Sequence, residues 1–145
     1  AILSRGLGDV YKRQSIESVT KKEFTESDIM LAKFGTAVIS DVKSNAILLV
    51  STTKTGFATV GVGPGQTSRV EAVRIAARRA GDRAKGSMMI SDAFFPFRDG
   101  IDTANEIGVE SIVQPGGSMR DSDSITAADE HDMSMIFTNR RLFLH

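Results

Sequence analysis

From residue 87 onward the chain alternates short apolar runs with stretches of helical length, and that alternation constrains the fold more than any other feature. Residues 87–91, 110–114 and 133–137 have the length and apolar character of buried strands. Residues 99–107 and 122–131 lie between them and read as helices, the first stopped by Gly108. Strands separated by helices pair in parallel, because a helical crossover carries the chain back to the starting edge of the sheet. The expected class is α/β, a sandwich with parallel crossovers.

The upstream half adds an antiparallel element. Residues 46–50 are a continuous apolar run and residues 57–62 a second strand, with Lys54-Thr55-Gly56 as a hairpin turn between them. Before the hairpin, Ile29, Met30, Ala32, Phe34, Ala37 and Val38 fall mostly at helical spacing over residues 26–42, with Thr25 or Ser27 as the cap. After it come a glycine-rich loop at residues 61–68 and a helix over residues 69–84. Thr67 or Ser68 caps that helix, and Val70, Val73, Ala77 and Ala80 form its inner face. The predicted sheet is therefore mixed.

Composition narrows the class of function. The 145 residues suffice for one domain with one core, and 41% hydrophobic and 25% charged residues are ordinary for a soluble globular protein. A net charge of zero gives no support for a nucleic-acid partner, and there is no apolar run of about eighteen residues to support a membrane one. Cys is absent, which removes disulfides and thiolate chemistry and fits a reducing, cytoplasmic setting. His131 and His145 are the only imidazoles, too few for a zinc site of the usual His and Cys ligands.

Residues 4–14, SRGLGDVYKRQ, stand apart from the rest. They resemble the conceptual translation of a transposon-type sequencing adapter, whose end GATGTGTATAAGAGACAG encodes DVYKRQ. Residues 1–14 are thus expected to be non-native, with residues 15–145 continuing a longer native chain.

Four segments could carry chemistry, since ligands in open α/β sheets collect beyond the strand ends that lead into helices. In residues 61–69 a glycine loop opens a helix, where unpaired N–H groups favour an anion or a carbonyl oxygen; a plain tight turn fits as well. The segment SDAFFPFRDG places Phe94, Phe95 and Phe97 around Pro96 and follows them with Arg98 and Asp99. Pro96 ends strand pairing, so at least one ring faces a groove, where rings beside a carboxylate suit a flat heterocycle with N–H donors; a hydrophobic plug is the other reading. In residues 115–121, PGGSMRD, two glycines let a ligand approach the backbone; the same residues also make an ordinary turn capped by Asp121 or Ser122. The tail NRRLFLH sets arginines beside a ring, as a phosphate and a base would need, unless it is a frayed terminus. His131, at the end of a helix, is explained by the helix dipole, and Arg74, Arg78, Arg79, Arg83 and Lys85 by a solvated helix face.

VKSNAI (42–47), GPGQTSR (63–69), SDAFFPFRDGID (91–102), QPGGSMRD (114–121), AADEH (127–131) and the terminal NRRLFLH, in that order, resemble the C-terminal part of the bifunctional AICAR transformylase/IMP cyclohydrolases. The resemblance implies a three-layer sandwich like that of cytidine deaminase, without its zinc. It implies transfer of a formyl group from 10-formyltetrahydrofolate to AICAR in purine synthesis. Asn45 and Arg69 would contact AICAR, with Arg141 on its phosphate and Phe143 near its ring. Val70, Phe94, Asp99, Ser118 and Met119 would line the folate side. The family's Lys-His proton-transfer pair and its cyclohydrolase domain have no counterpart here, and Leu144 stands where relatives usually carry Arg or His. The family works as a homodimer with shared sites, so this stretch is expected to be a substrate-binding part, inactive alone. A free-standing, non-catalytic purine-nucleotide or folate-binding domain is the alternative, and the lack of Cys argues against a zinc deaminase. Deleting residues 1–14 should change the stability measured by urea unfolding by less than about 0.5 kcal/mol, as for surface positions generally; loss of cooperative unfolding would show that the segment packs.

Overall fold

The computed structural model describes residues 18–139, so the expectations for residues 1–14 and for the tail beyond Asn139 lie outside the described residues. The elements are α1 (Glu26–Ile39), β1 (Ile47–Thr53), β2 (Gly56–Gly63), α2 (Arg69–Ala80) with a 3-10 turn (Gly81–Ala84), β3 (Met88–Ser91), α3 (Asp99–Glu106), β4 (Ser111–Gln114), α4 (Asp121–Glu130) and β5 (Ser134–Phe137). Every expected strand and helix is present, with ends displaced by at most four residues.

The five strands form one mixed sheet in the order β2-β1-β3-β4-β5. β1 pairs antiparallel with both β2 and β3, whereas β3, β4 and β5 are mutually parallel. β2 therefore runs parallel to β3 without touching it, and α2 crosses over β1 to join them. The chain is a three-layer α/β sandwich: α1 covers one face, and α2, α3 and α4 contribute to the core on the other. Burial is continuous along Met88–Ser91 and Ser111–Gln114, as expected of strands covered on both sides.

Helix phasing departs from the sequence reading. In α1 the buried residues are Leu31, Ala32, Gly35, Thr36 and Ile39, while Met30 is 58% exposed. Ala32 is in the core and Ile29, Phe34 and Val38 pack half-buried against it, but the face centres on Leu31, Gly35 and Ile39, with Gly35 at the closest approach: a Cβ there would lie 2.6 Å from Ile90 Cγ1. Thr25 caps α1 in a reciprocal capping box with Asp28. In α2 the inner face is Ala72, Val73, Ala76 and Ala80, with Val70 and Ala77 only half-buried. Small residues face inward because α2 lies directly on β2, where a Cβ on Gly61 or Gly63 would collide with the Ala76 or Ala72 carbonyl oxygen.

The exposed edge of β5 is guarded by the chain itself. Val19 N–H donates to Met135 O at 2.9 Å, and Met135 N–H donates to Thr20 Oγ1 at 2.9 Å. Those bonds occupy backbone groups that an edge strand otherwise offers to a foreign strand.

Gly63→Ala should destabilise the fold by roughly 1–3 kcal/mol or more, the range for overpacking, because the collision is with helix backbone that cannot rotate away. The midpoint of urea unfolding reads this directly; an unchanged midpoint would mean that α2 can lift off β2.

Candidate functional site

The candidate site lies along one edge of the sheet. The antiparallel register sets Ile47 opposite both Gly63 and Ser91, so the start of β1 and the ends of β2 and β3 meet there. β4 and β5, parallel to β3, end on the same side.

At the β1 corner, Arg69 and Asn45 are brought into contact across 24 residues of sequence: Arg69 Nη2 donates to Asn45 Oδ1 at 3.1 Å. Ser68 caps α2 by accepting from Glu71 N–H, which places Arg69 at the first helical position, pointing back over the sheet edge. Arg69 Nη1 donates to Asp92 Oδ1 at 2.5 Å and Ser91 Oγ at 3.3 Å. Asp92 is fully buried, and its Oδ2 accepts from Ala46 N–H at 3.1 Å.

The glycine-rich loop is not the open anion cradle that its composition allowed. Gly65 N–H donates to Lys43 O at 2.8 Å and Gln66 N–H to Asn45 O at 3.1 Å, while Asn45 N–H returns to Gln66 O at 3.2 Å. The loop spends these amides on clamping the 43–45 turn, and so it holds Asn45 rather than a ligand. The binding groups of this corner are side chains.

Beyond β3, the three rings separate as their crowding required. Phe95 is 1% exposed and seals the core, Phe94 is half-buried, and Phe97 is 54% exposed. Phe95 N–H donates to Gln114 Oε1 at 3.3 Å, which fastens this loop to the end of β4. There Gly116 and Gly117 adopt φ of 75° and 101°, left-handed angles suited to glycine. A Cβ on Gly116 would sit 2.7 Å from Phe137 Cδ2, so the turn also packs tightly on the end of β5. Asp121 caps this turn rather than the helix, accepting from Gly117 N–H at 2.8 Å and Ser118 N–H at 3.1 Å.

The two loops meet. The Arg120 guanidinium lies 5.5 Å from the Phe97 ring centre. Met119 is fully exposed beside it, Ser118 Oγ accepts from Arg120 N–H at 3.0 Å, and Asp99 is exposed at the start of α3. Val70 is half-buried in the first turn of α2. Asn45, Arg69, Val70, Phe94, Asp99, Ser118 and Met119 thus all lie on one edge of the sheet, whereas Arg141 and Phe143 fall outside the described residues.

A sequence model described as AICARFT/IMPCHase bienzyme matches residues 6–79, just over half of the chain. The chain belongs to the AICARFT/IMPCHase bienzyme family. Members of that family are bifunctional enzymes with formyltransferase and cyclohydrolase activities. The match takes in Asn45 and Arg69 of the AICARFT/IMPCHase chain. Phe94, Asp99, Ser118 and Met119 lie beyond it, so their assignment rests on motif resemblance and on their place along the edge.

Two features lie away from this edge. A polar groove lined by residues including Lys22, Ser51, Lys85, Glu110, Ser111 and Ser134 sits at the opposite ends of the parallel strands. A charge cluster joins α3 to α4: Arg98 donates to both oxygens of Asp102 at 2.9 and 3.1 Å and to Glu130 Oε2 at 2.7 Å, and His131 Nε2 lies 2.7 Å from Asp102 Oδ1. The dipole alone did not account for His131; the signal available in the sequence was the carboxylate of Asp102 on a neighbouring helix, which only packing could pair with it. Among the described residues, no cluster of His, Cys, Asp or Glu is arranged to hold a metal ion.

Hydrogen bonds from Arg98 hold the Asp102 and Glu130 carboxyls below their ordinary range, and the two carboxylates keep the guanidinium still more firmly protonated. Folded-state values below the unfolded ones mean that this stabilisation is present above the ordinary carboxylate range and is lost as pH falls through the folded values. Thermal melts between about pH 5 and about pH 3 should therefore fall more steeply for the wild type than for Asp102→Asn. Parallel curves would show that solvent screening leaves the cluster without effect.

Proposed function

We propose that this chain is the substrate-binding C-terminal part of a formyltransferase that moves the formyl group of 10-formyltetrahydrofolate onto the 5-amino group of AICAR, giving FAICAR in IMP synthesis. The observation that carries the reading is the gathering on one sheet edge of a held guanidinium, an amide, exposed and half-buried rings and a carboxylate, in a chain of the AICARFT/IMPCHase family.

Asn45 and Arg69 serve AICAR. Asn45 Oδ1 is occupied by Arg69, which leaves the Asn45 amide NH2 as a donor, and the guanidinium adds fixed positive charge. Arg141 and Phe143 complete this side at the phosphate and the ring. Val70, Phe94, Asp99, Ser118 and Met119 serve the folate, with Phe94 against its flat ring and the Asp99 carboxylate accepting from pterin N–H donors. Leaving those donors unmet in a dry pocket would cost roughly 1–3 kcal/mol.

In the transfer, the amine nitrogen bonds to the formyl carbon, the bond from that carbon to the folate nitrogen breaks, and the proton that the amine gives up is balanced by one taken up at the departing folate nitrogen. The residues named here bind and orient the two substrates and take no part in that proton transfer, which the family assigns to a Lys-His pair that this sequence does not carry. The complete enzyme is proposed to be a cytoplasmic homodimer whose sites draw on both subunits, with no nucleic-acid or membrane partner. Among the described residues no helix is long and apolar enough to cross a membrane.

Assayed with AICAR and 10-formyltetrahydrofolate, the chain should show binding and no turnover. Loss of an acid–base group alone costs about a hundred- to ten-thousand-fold in rate, and incomplete positioning of two substrates adds to it. Folate affinity should fall in Asp99→Ala while AICAR affinity holds. Turnover that depended on Asp99 would overturn this division of roles.

A further inference from the structure

We infer that Asp92 is the positioning residue of the AICAR corner, acting on the substrate through Arg69. The inference rests on the functional reading above and adds to it a residue with no substrate contact of its own. Asp92 is fully buried, and its two oxygens face different partners. Oδ2 accepts from Ala46 N–H at 3.1 Å, which ties the carboxylate to the start of β1, and Oδ1 takes Arg69 Nη1 at 2.5 Å. Ser91 Oγ at 3.3 Å and Ala46 O at 3.4 Å gather around the same nitrogen, and Nη2 is held by Asn45. Both terminal nitrogens of a planar group are thereby fixed, which fixes the direction of Nε as well.

Nε–H has no partner among the described residues, and the Arg69 side chain keeps 9% of its surface open at the edge. A guanidinium locked on its inner side with a donor left over is pre-organised for an acceptor on a planar substrate. It binds without the loss of side-chain freedom that a mobile arginine would incur. Asp92 also pairs the guanidinium charge in so enclosed a place. A neutral group of the same shape would keep the packing and lose the lock.

The test measures AICAR binding by calorimetry on the full chain, Asp92→Asn, Arg69→Gln and the double variant. Asp92→Asn should weaken AICAR roughly ten- to a hundredfold, the loss expected for a charge-assisted hydrogen bond. In the Arg69→Gln background the same change should alter affinity by less than about twofold, since coupled residues are non-additive. Equal AICAR affinity in wild type and Asp92→Asn, or losses that simply add in the double variant, would overturn the inference. Nitrogen-15 spectra of the arginine side chains give a second readout that needs no variant. Arg69 should show hindered rotation with separate Nη signals in the wild type, and averaged signals would overturn the lock even if Asp92→Asn fails to fold. Hindered rotation without AICAR binding to the wild type would support the lock and overturn the formyltransferase reading.

Discussion

The buried carboxylate of Asp92 is the constraint on which this edge of the molecule depends. A carboxylate with no exposed surface is costly unless its oxygens are met, and breaking such a pair by removing one partner typically costs about 3–5 kcal/mol. Here its partners come from two places in the sequence, Ala46 N–H just before β1 and Arg69 Nη1 at the start of α2, and Arg69 Nη1 in turn also donates to Ser91 Oγ at the end of β3 and to Ala46 O. The ion pair therefore ties the antiparallel hairpin to the parallel half at this end of the β1–β3 ladder. The same ion pair places Asn45, so the stability of the junction and the geometry of the AICAR corner are one problem with one solution.

Around that junction the two halves pack by different means. The hairpin side relies on the absence of side chains: Gly61 and Gly63 of β2 let α2 descend until alanines touch the strand. The parallel side relies on large apolar residues, with Met89, Ile112 and Met135 on adjacent strands buried beneath Phe95 and Ile101. Phe95 is the hinge between core and site. Its ring is pressed against Gly100 and its N–H bonds Gln114, so the loop that carries Phe94 and Phe97 outward is anchored by the residue between them. Local rigidity of this kind is what a binding loop needs to hold exposed rings in one arrangement.

Much of the candidate site was legible in the sequence because its residues sit in motifs with unusual chemistry. SDAFFPFRDG could not continue a strand past Pro96, and the separation of its rings into one buried, one half-buried and one exposed follows from that. PGGS read as a glycine turn open to a ligand, and its Gly116 and Gly117 do adopt left-handed angles. Other features were hidden. The glycine loop read equally as a cradle or a tight turn, and what its amides bond, the 43–45 turn, depends on where β1 begins relative to the end of β2. Asp92 had no local signature, since a single aspartate after a strand is equally an ordinary cap.

What the sequence by itself determined is the order and kind of the elements, from the periods of apolar residues and the turn chemistry between them. It also determined the mixed sheet, from a short hairpin turn followed by helical crossovers. Only the tertiary structure decided which helix faces turn inward, because Gly35, Ala72 and Ala76 are chosen for close approach rather than for hydrophobicity. Only it decided that His131 meets Asp102, that Arg120 covers Phe97, and that Arg69 is locked to Asp92. Those pairs join residues 23 to 29 positions apart in the chain. Periodicity reports neighbours along one element, whereas contact between elements is set by strand register and by the depth at which each helix comes to rest.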